Sequence, residues 1–190
     1  MRTVVVTGGG KGIGRAVAAR FAAAGDRVVA VGRDRAALEG VAGVEAAVCD
    51  VTDEAAVEAL FDRLGALDVL VINAGAASSA PLARTTLEDW NALHDINATG
   101  AFLCTRAALP RLNEHGRIVT VASVNGRVGA RYTAAYTASK HAAVGLTRAT
   151  AAEQGHQLDW IPQYRSGSRP PNTGKDARRA PLRRFDEVPA

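Results

Sequence analysis

Short, largely apolar runs alternate along this chain with longer stretches in which apolar residues return about once per helical turn. The runs fall at residues 3–6, 27–31, 44–48, 67–72 and 116–122 and are read as strands. After the first run, Ile13, Val17 and Phe21 recur near turn spacing, which predicts a helix to about Ala24 with Gly25 closing it. Gly32-Arg33-Asp34 reads as a turn before a short helix over 35–40. Thr52 is the expected cap of the next helix, with Asp53 and Glu54 in a first turn whose macrodipole favours acids. That helix runs to about Leu64. Thr86 is placed to cap a helix from Leu87, and residues 95–112 read as one long helix broken near Pro110. The last clear helix carries Tyr136 and Lys140 and extends to about Glu153.

The strand runs are continuous rather than alternating, so both faces of the sheet must be covered. Strands that alternate with helices then give an α/β fold, a doubly wound parallel sheet of Rossmann-like form with right-handed crossovers. About five strands are recognisable, and a sixth and seventh are not evident. The folded unit is expected over residues 1–153. Residues 154–190 form a Pro-rich basic tail that reads as disordered or poorly packed. The switch there to an Arg, Pro and Ser-rich composition is of the kind a reading-frame change produces.

Charge changes this picture in one respect. The chain of 190 residues carries a net charge of +4, which invites a nucleic-acid reading. From Ile161 on, however, lie seven of the 23 basic residues and three of the 19 acidic ones, so the body is neutral. The tail has few aromatics (Trp160, Tyr164, Phe185), and no nucleic-acid partner is expected. No run of about 18 apolar residues indicates a membrane span. The N-terminus lacks a signal-peptide layout, and Cys49 and Cys104 are isolated, which fits free thiols in a cytoplasmic protein.

The candidate chemistry begins at Thr7-Gly8-Gly9-Gly10-Lys11-Gly12-Ile13-Gly14. This cluster follows a strand and opens a helix, as a dinucleotide fingerprint requires. Gly8 permits a tight turn, Gly12 a close approach of backbone to a pyrophosphate, and Gly14 close helix packing, with phosphate on the helix N-terminus. No Gly-Lys-Ser/Thr ends the cluster, which excludes the phosphate loop of kinases and GTPases. At the end of the second strand an NAD binder carries an acid, whereas this chain has Gly32 and then Arg33. Arg33 and Lys11 suit a 2′-phosphate, so NADP(H) is favoured over NAD(H), with Asp34 acting against it.

Tyr136 and Lys140 stand four apart, on one face of a helix. A phenol has an ordinary pKa of about 10, and a neighbouring ammonium brings it toward neutrality, so the pair could pass a proton to an oxygen gaining charge. Such pairs also occur on solvated helix faces. Ser123 lacks the flanking glycines of a hydrolase nucleophile elbow. His94, His115, His141 and His156 show no paired metal spacing, so no metal is expected.

Taken jointly and in order, the glycine cluster, Asp50-Val51, Asn73-Ala74-Gly75, Asn97, Ser123 and Tyr136-x-x-x-Lys140 resemble the short-chain dehydrogenase/reductase family of the single-domain type. The resemblance covers about residues 1–153. It implies an oxidoreductase that interconverts a small-molecule ketone, such as a 3-oxoacyl thioester, and a secondary alcohol. It assigns Tyr136 as proton donor, with Lys140 lowering its pKa and binding the nicotinamide ribose. Ser123 would place the substrate oxygen, and Asn97 would hold a water behind Lys140. Asp50 and Val51 would contact the adenine, while Asn73, Ala74 and Gly75 would line the cofactor channel. Asn97 and Asp50 also have plain structural readings, as a helix polar residue and an acid before a cap. The family also implies a homo-oligomer through the helix before strand five and the helix bearing Lys140. It continues with a sixth strand and a Pro-Gly turn that are not recognised here. Weak stability and impaired turnover are therefore expected, and the alternative is a dinucleotide-binding fragment without a working substrate site.

Overall fold

The computed structural model describes residues 1–154 and the backbone of 158–161. Most of the tail expected at residues 154–190 therefore lies outside the described residues. The strands are β1 (Thr3–Thr7), β2 (Arg27–Gly32), β3 (Val44–Val48), β4 (Leu67–Ile72), β5 (Leu112–Val121) and β6 (Leu158–Ile161). They form one sheet in the order β3-β2-β1-β4-β5-β6, and every pairing is parallel. The chain winds outward from β1 to β3, then returns to β4 and winds the other way. This reversal opens a crevice beyond the carboxyl ends of β1 and β4, where doubly wound sheets bind ligands.

The continuous apolar runs have a direct cause. Side chains alternate between the two faces of a strand. Val5 packs with Leu70 and Ile72 in one core, while Val4 and Val6 pack with Val69 and Val71 in another. The helices α3 (Glu54–Leu64) and α5 (Gly100–Ala108) close the first core, with Phe61 wholly buried in it. Burying such a side chain contributes about 1.5–3 kcal/mol. Helix α1 (Gly12–Ala23) closes the second through Ala18 and Phe21. The remaining helices are α2 (Arg35–Glu39), α4 (Leu87–His94) and α6 (Ala134–Gln154). Among the described residues no helix is long and apolar enough to cross a membrane.

Four boundaries differ from the sequence reading. The cap of α3 is Asp53, which accepts from the Ala56 N–H at 3.0 Å, and Thr52 instead donates its N–H and hydroxyl to Asp50. Both residue types cap helices, and the nearer one won. Residues 95–112 are not one α-helix. A π turn at Asp95–Thr99 joins α4 to α5, and a 3₁₀ turn at Leu109–Arg111 holds Pro110. Strand β5 starts at Leu112, earlier than expected, and its polar, exposed Asn113, Glu114 and His115 gave no apolar pattern to mark that start. Finally, β6 adds a sixth strand beside β5, where the sequence reading found none. Four residues with an Asp among them, Leu-Asp-Trp-Ile, leave too little pattern to detect. By contrast, Thr86 caps α4 as expected and forms a reciprocal pair with Asp89.

Candidate active site

Three strand ends build the site. At the end of β1, Gly8 turns the chain with φ +65°, and α1 starts at Gly12. The first turn of α1 has no side-chain cap and no acid, unlike α2, α3 and α4, which Asp34, Asp53 and Thr86 cap. Its unpaired N–H groups and positive end are therefore left for an anion. Gly14 sits behind the turn. A Cβ there would lie 2.2 Å from the Gly8 carbonyl oxygen and 2.4 Å from Asn73 Nδ2. No side chain fits.

At the end of β4, Asn73 ties the two halves of the sheet together. Its Nδ2 donates to the carbonyls of Thr7 and Gly8 at 3.1 and 3.3 Å. Thr7 Oγ1 accepts from the N–H groups of Asn73 and Ala74 at 2.9 and 3.0 Å. Gly75 follows, and a Cβ on it would lie 2.6 Å from Asn97 Oδ1 and 3.3 Å from Lys140 Nζ. The chain thus needs glycine where Asn97 and Lys140 converge on the backbone.

At the end of β5, Ser123 is buried, and its Oγ accepts from the Asn125 N–H at 3.2 Å. Its proton remains available to a substrate oxygen. Asn125 reaches across to Thr133 and Thr137 at 3.0 and 3.2 Å and so fixes α6 against this loop. Helix α6 presents Tyr136 and Lys140 to the same space. Lys140 Nζ donates to the Val121 carbonyl at 3.3 Å, and burial pushes its pKa down to about 8. Desolvation disfavours the ammonium here.

A cleft of about 980 Å³ joins these ends. Gly8, Lys11, Gly12 and Ile13 line its floor, Arg33, Asp50 and Val51 one flank, Asn73, Ala74 and Gly75 the centre, and Ser123, Tyr136 and Lys140 the far side. Two expected residues do not line it. Gly14 lies behind the glycine turn, and Asn97 is buried behind Gly75, bonded to the Ala76 backbone and to Ser139. Lys11 pairs with Asp34 at 2.7 Å, and Arg33 with Asp50 at 3.6 Å. The Lys11 ammonium holds the Asp34 carboxyl below its ordinary range. The Thr52 N–H does the same for Asp50, with Arg33 contributing less. Residues without a sequence-based role also matter. Thr7 anchors Asn73, and Ser139 donates to the Tyr136 carbonyl at 2.9 Å. Thr7 stands directly before the glycines and Ser139 directly before Lys140, and that adjacency was the available signal.

A family model described as short chain dehydrogenase matches residues 2–157. The chain belongs to the short-chain dehydrogenase family. This short-chain dehydrogenase is 40% identical over 158 residues to a 3-oxoacyl-[acyl-carrier-protein] reductase, MabA, of Mycobacterium tuberculosis, covering 80% of this chain and 63% of that protein. It is 38% identical to a meso-2,3-butanediol dehydrogenase of Serratia marcescens, over 81% of this chain and 66% of the relative. Among solved structures, a putative NAD(P)-dependent gluconate 5-dehydrogenase from Beutenbergia cavernae with bound NADP aligns with TM-score 0.75 and 39% identity, over 83% of this chain and 68% of that one. A short-chain dehydrogenase from Streptomyces avermitilis aligns with TM-score 0.77 and 30% identity, over 84% and 63%. The short-chain dehydrogenase described here thus spans 63% of the MabA relative it matches.

Proposed function

We infer that the chain is an NADP(H)-dependent oxidoreductase that interconverts a ketone and a secondary alcohol. The observation that carries this reading is the meeting of Ser123, Tyr136 and Lys140 with the uncapped end of α1 on one cleft. A nicotinamide cofactor, when bound, supplies or accepts the hydride. The uncapped turn at Gly12 and the open floor of the cleft fit its pyrophosphate, and Arg33 with Lys11 fit a 2′-phosphate. Tyr136 then gives its phenolic proton to the substrate oxygen as that oxygen gains charge. Lys140, buried and held by Val121, stabilises the phenolate that remains. Ser123 donates its free proton to the same substrate oxygen and so orients it. Asn97 acts one layer back by fixing Ala76 and Ser139.

The names of the relatives favour a ketone or hydroxyketone substrate, with a 3-oxoacyl thioester among the candidates. NADPH oxidation by the purified chain against a panel of ketones tests the reading. Activity that Tyr136→Phe abolishes supports it. One observation favours a second reading, a cofactor-binding chain without turnover. Among the described residues, none after Lys140 lines the cleft. That reading requires NADPH to bind while no ketone in the panel is reduced.

A further inference from the structure

A second cavity, of about 140 Å³, opens beside Tyr136. None of its lining residues comes from the glycine turn. The loop between β4 and α4 contributes Ser78, Ser79 and Thr85, and the loop between β5 and α6 contributes Tyr132. Asp89 of α4, Ala80 and residues 133–136 complete the wall. Ser78, Ser79, Thr133 and Tyr136 line both this cavity and the main cleft. A molecule whose reacting oxygen meets Tyr136 therefore has its neighbouring atoms at the mouth of the cavity.

The two loops are fastened to each other. The Ala80 N–H donates to the Tyr132 carbonyl at 2.8 Å. Tyr132 has φ +63°, the one positive value at a non-glycine residue among those described. A bulky residue holds this conformation only where its surroundings impose it, and such residues gather at ligand sites. The Tyr132 ring is half exposed, and its hydroxyl accepts from the Arg131 guanidinium at 3.3 Å, which leaves the phenolic proton free to donate. Ser78 and Ser79 are exposed, and neither hydroxyl has a partner among the described residues. The two threonine hydroxyls are already committed. Thr85 donates to Pro81 at 3.3 Å, and Thr133 donates to Ala130 at 2.9 Å while accepting from Asn125. No Lys or Arg lines the cavity, and Asp89 gives it an acidic wall. The Asp89 carboxylate on one wall and the Arg131 guanidinium behind the Tyr132 hydroxyl offset each other, so the cavity suits an uncharged oxygen.

We propose that this cavity is the subsite for a second, uncharged oxygen function of the substrate, carried beside the reacting ketone. That oxygen is the hydroxyl of a hydroxyketone or the ester carbonyl of a 3-oxo ester. The proposal rests on the ketone-reducing reading above. Sites that hydrogen-bond a substrate oxygen reject the analogue that lacks it, because their own polar groups are then left unpaired.

The test offers the full chain and NADPH two matched pairs. The first is 3-hydroxy-2-butanone against 3-methyl-2-butanone, and the second is ethyl 3-oxobutanoate against 4-ethoxy-2-butanone. The 3-oxobutanoate anion is the charged arm. At least one oxygenated ketone should exceed its partner by about tenfold in kcat/KM, as one net hydrogen bond allows. The pair that shows the preference identifies the oxygen as hydroxyl or carbonyl. The anion should gain nothing over its ester. Combining Ser78→Ala, Ser79→Ala and Tyr132→Phe should shrink the preference to within about twofold. Each single variant is measured alongside. A preference absent from both pairs, or surviving in the triple variant, overturns the subsite. Saturation-transfer NMR on the NADP-loaded chain repeats the comparison without turnover. Selective binding with no reduction of any ketone overturns the proposed reaction and keeps the subsite. Reduction without selectivity does the reverse.

Discussion

Asn97 grips the backbone of Ala76 with both ends of its amide, Nδ2 donating to the carbonyl at 2.9 Å and Oδ1 accepting from the N–H at 3.1 Å. The same Nδ2 donates to Ser139 Oγ at 3.1 Å, and Ser139 donates to the Tyr136 carbonyl. One buried amide therefore fixes the turn after β4 and the start of α6 together. The π turn that carries Asn97 is the kind of helical irregularity often found at functional sites.

Asn97→Ala takes these partners from the Ala76 backbone and from the buried Ser139 hydroxyl, and it empties a buried position. The expected loss is about 2–4 kcal/mol of stability, read from urea denaturation. Asn97→Asp keeps the acceptor but removes the donor, so it should recover only part of the loss. If both variants unfold at the wild-type midpoint, the amide does not hold the site together.

Gly12 and Gly14 stand two residues apart, yet substitution should affect them very differently. A Cβ on Gly14 would strike the Gly8 carbonyl oxygen at 2.2 Å and Asn73 Nδ2 at 2.4 Å. Gly14→Ala should cost more than about 3 kcal/mol and abolish NADPH binding, because the glycine turn and β4 must part. A Cβ on Gly12 meets nothing within 4 Å, and its φ of +53° makes the cost one of backbone strain alone. Gly12→Ala should stay folded, losing about 1 kcal/mol. Thermal unfolding and NADPH fluorescence titration of the two variants check this, and equal losses would refute the packing account.

The parts of this fold that can be read from the chain are those that two cores dictate. Strands such as Val4–Val6 must be apolar at every position because each face is covered, so their pattern is local and visible. Where a face is wet or a turn irregular, the pattern fades. Strand β5 carries Asn113, Glu114 and His115 directly after its first residue, and the π turn around Asn97 has no composition of its own. The residues around the cleft were legible as a set because each stands at a strand end or the start of a helix. The bond from Asn97 to Ala76 was not, since it joins side chain to backbone across 21 positions and leaves no local trace. The pairing of Lys11 with Asp34 likewise depends on how α2 docks.

Lys140 should make stability depend on pH. Its ammonium is buried and titrates near 8, against an ordinary value of 10.5. Between those values the unfolded chain binds the proton and the folded chain does not, so stability rises as pH increases from about 8 to about 10.5. Below 8 both states are protonated and the full burial cost is present. The rise should approach about 3 kcal/mol. Lys140→Met should flatten this slope and match or exceed the wild type in stability at pH 7, while losing activity. Urea midpoints taken across pH 6 to 10.5 check it. A slope that persists in Lys140→Met would assign the titration to another group.

Cofactor preference should turn on Arg33 and Asp34. Both cations of this flank are already paired, Lys11 with Asp34 and Arg33 with Asp50, but the pairs are exposed and hold weakly. A 2′-phosphate offers two charges and several acceptor oxygens, so it should displace both carboxylates. Arg33→Ala is expected to weaken NADPH binding by about 10–100-fold and NADH binding by less than about threefold. Asp34 has two tasks, since Oδ1 also caps α2 by accepting from the Ala37 N–H at 3.1 Å. Asp34→Ser keeps a capping oxygen and releases Lys11, so it should tighten NADPH by about 3–10-fold. Fluorescence titration with both cofactors reads all of these values. If Arg33→Ala weakens NADPH and NADH alike, Arg33 contacts a part common to the two and sets no preference between them.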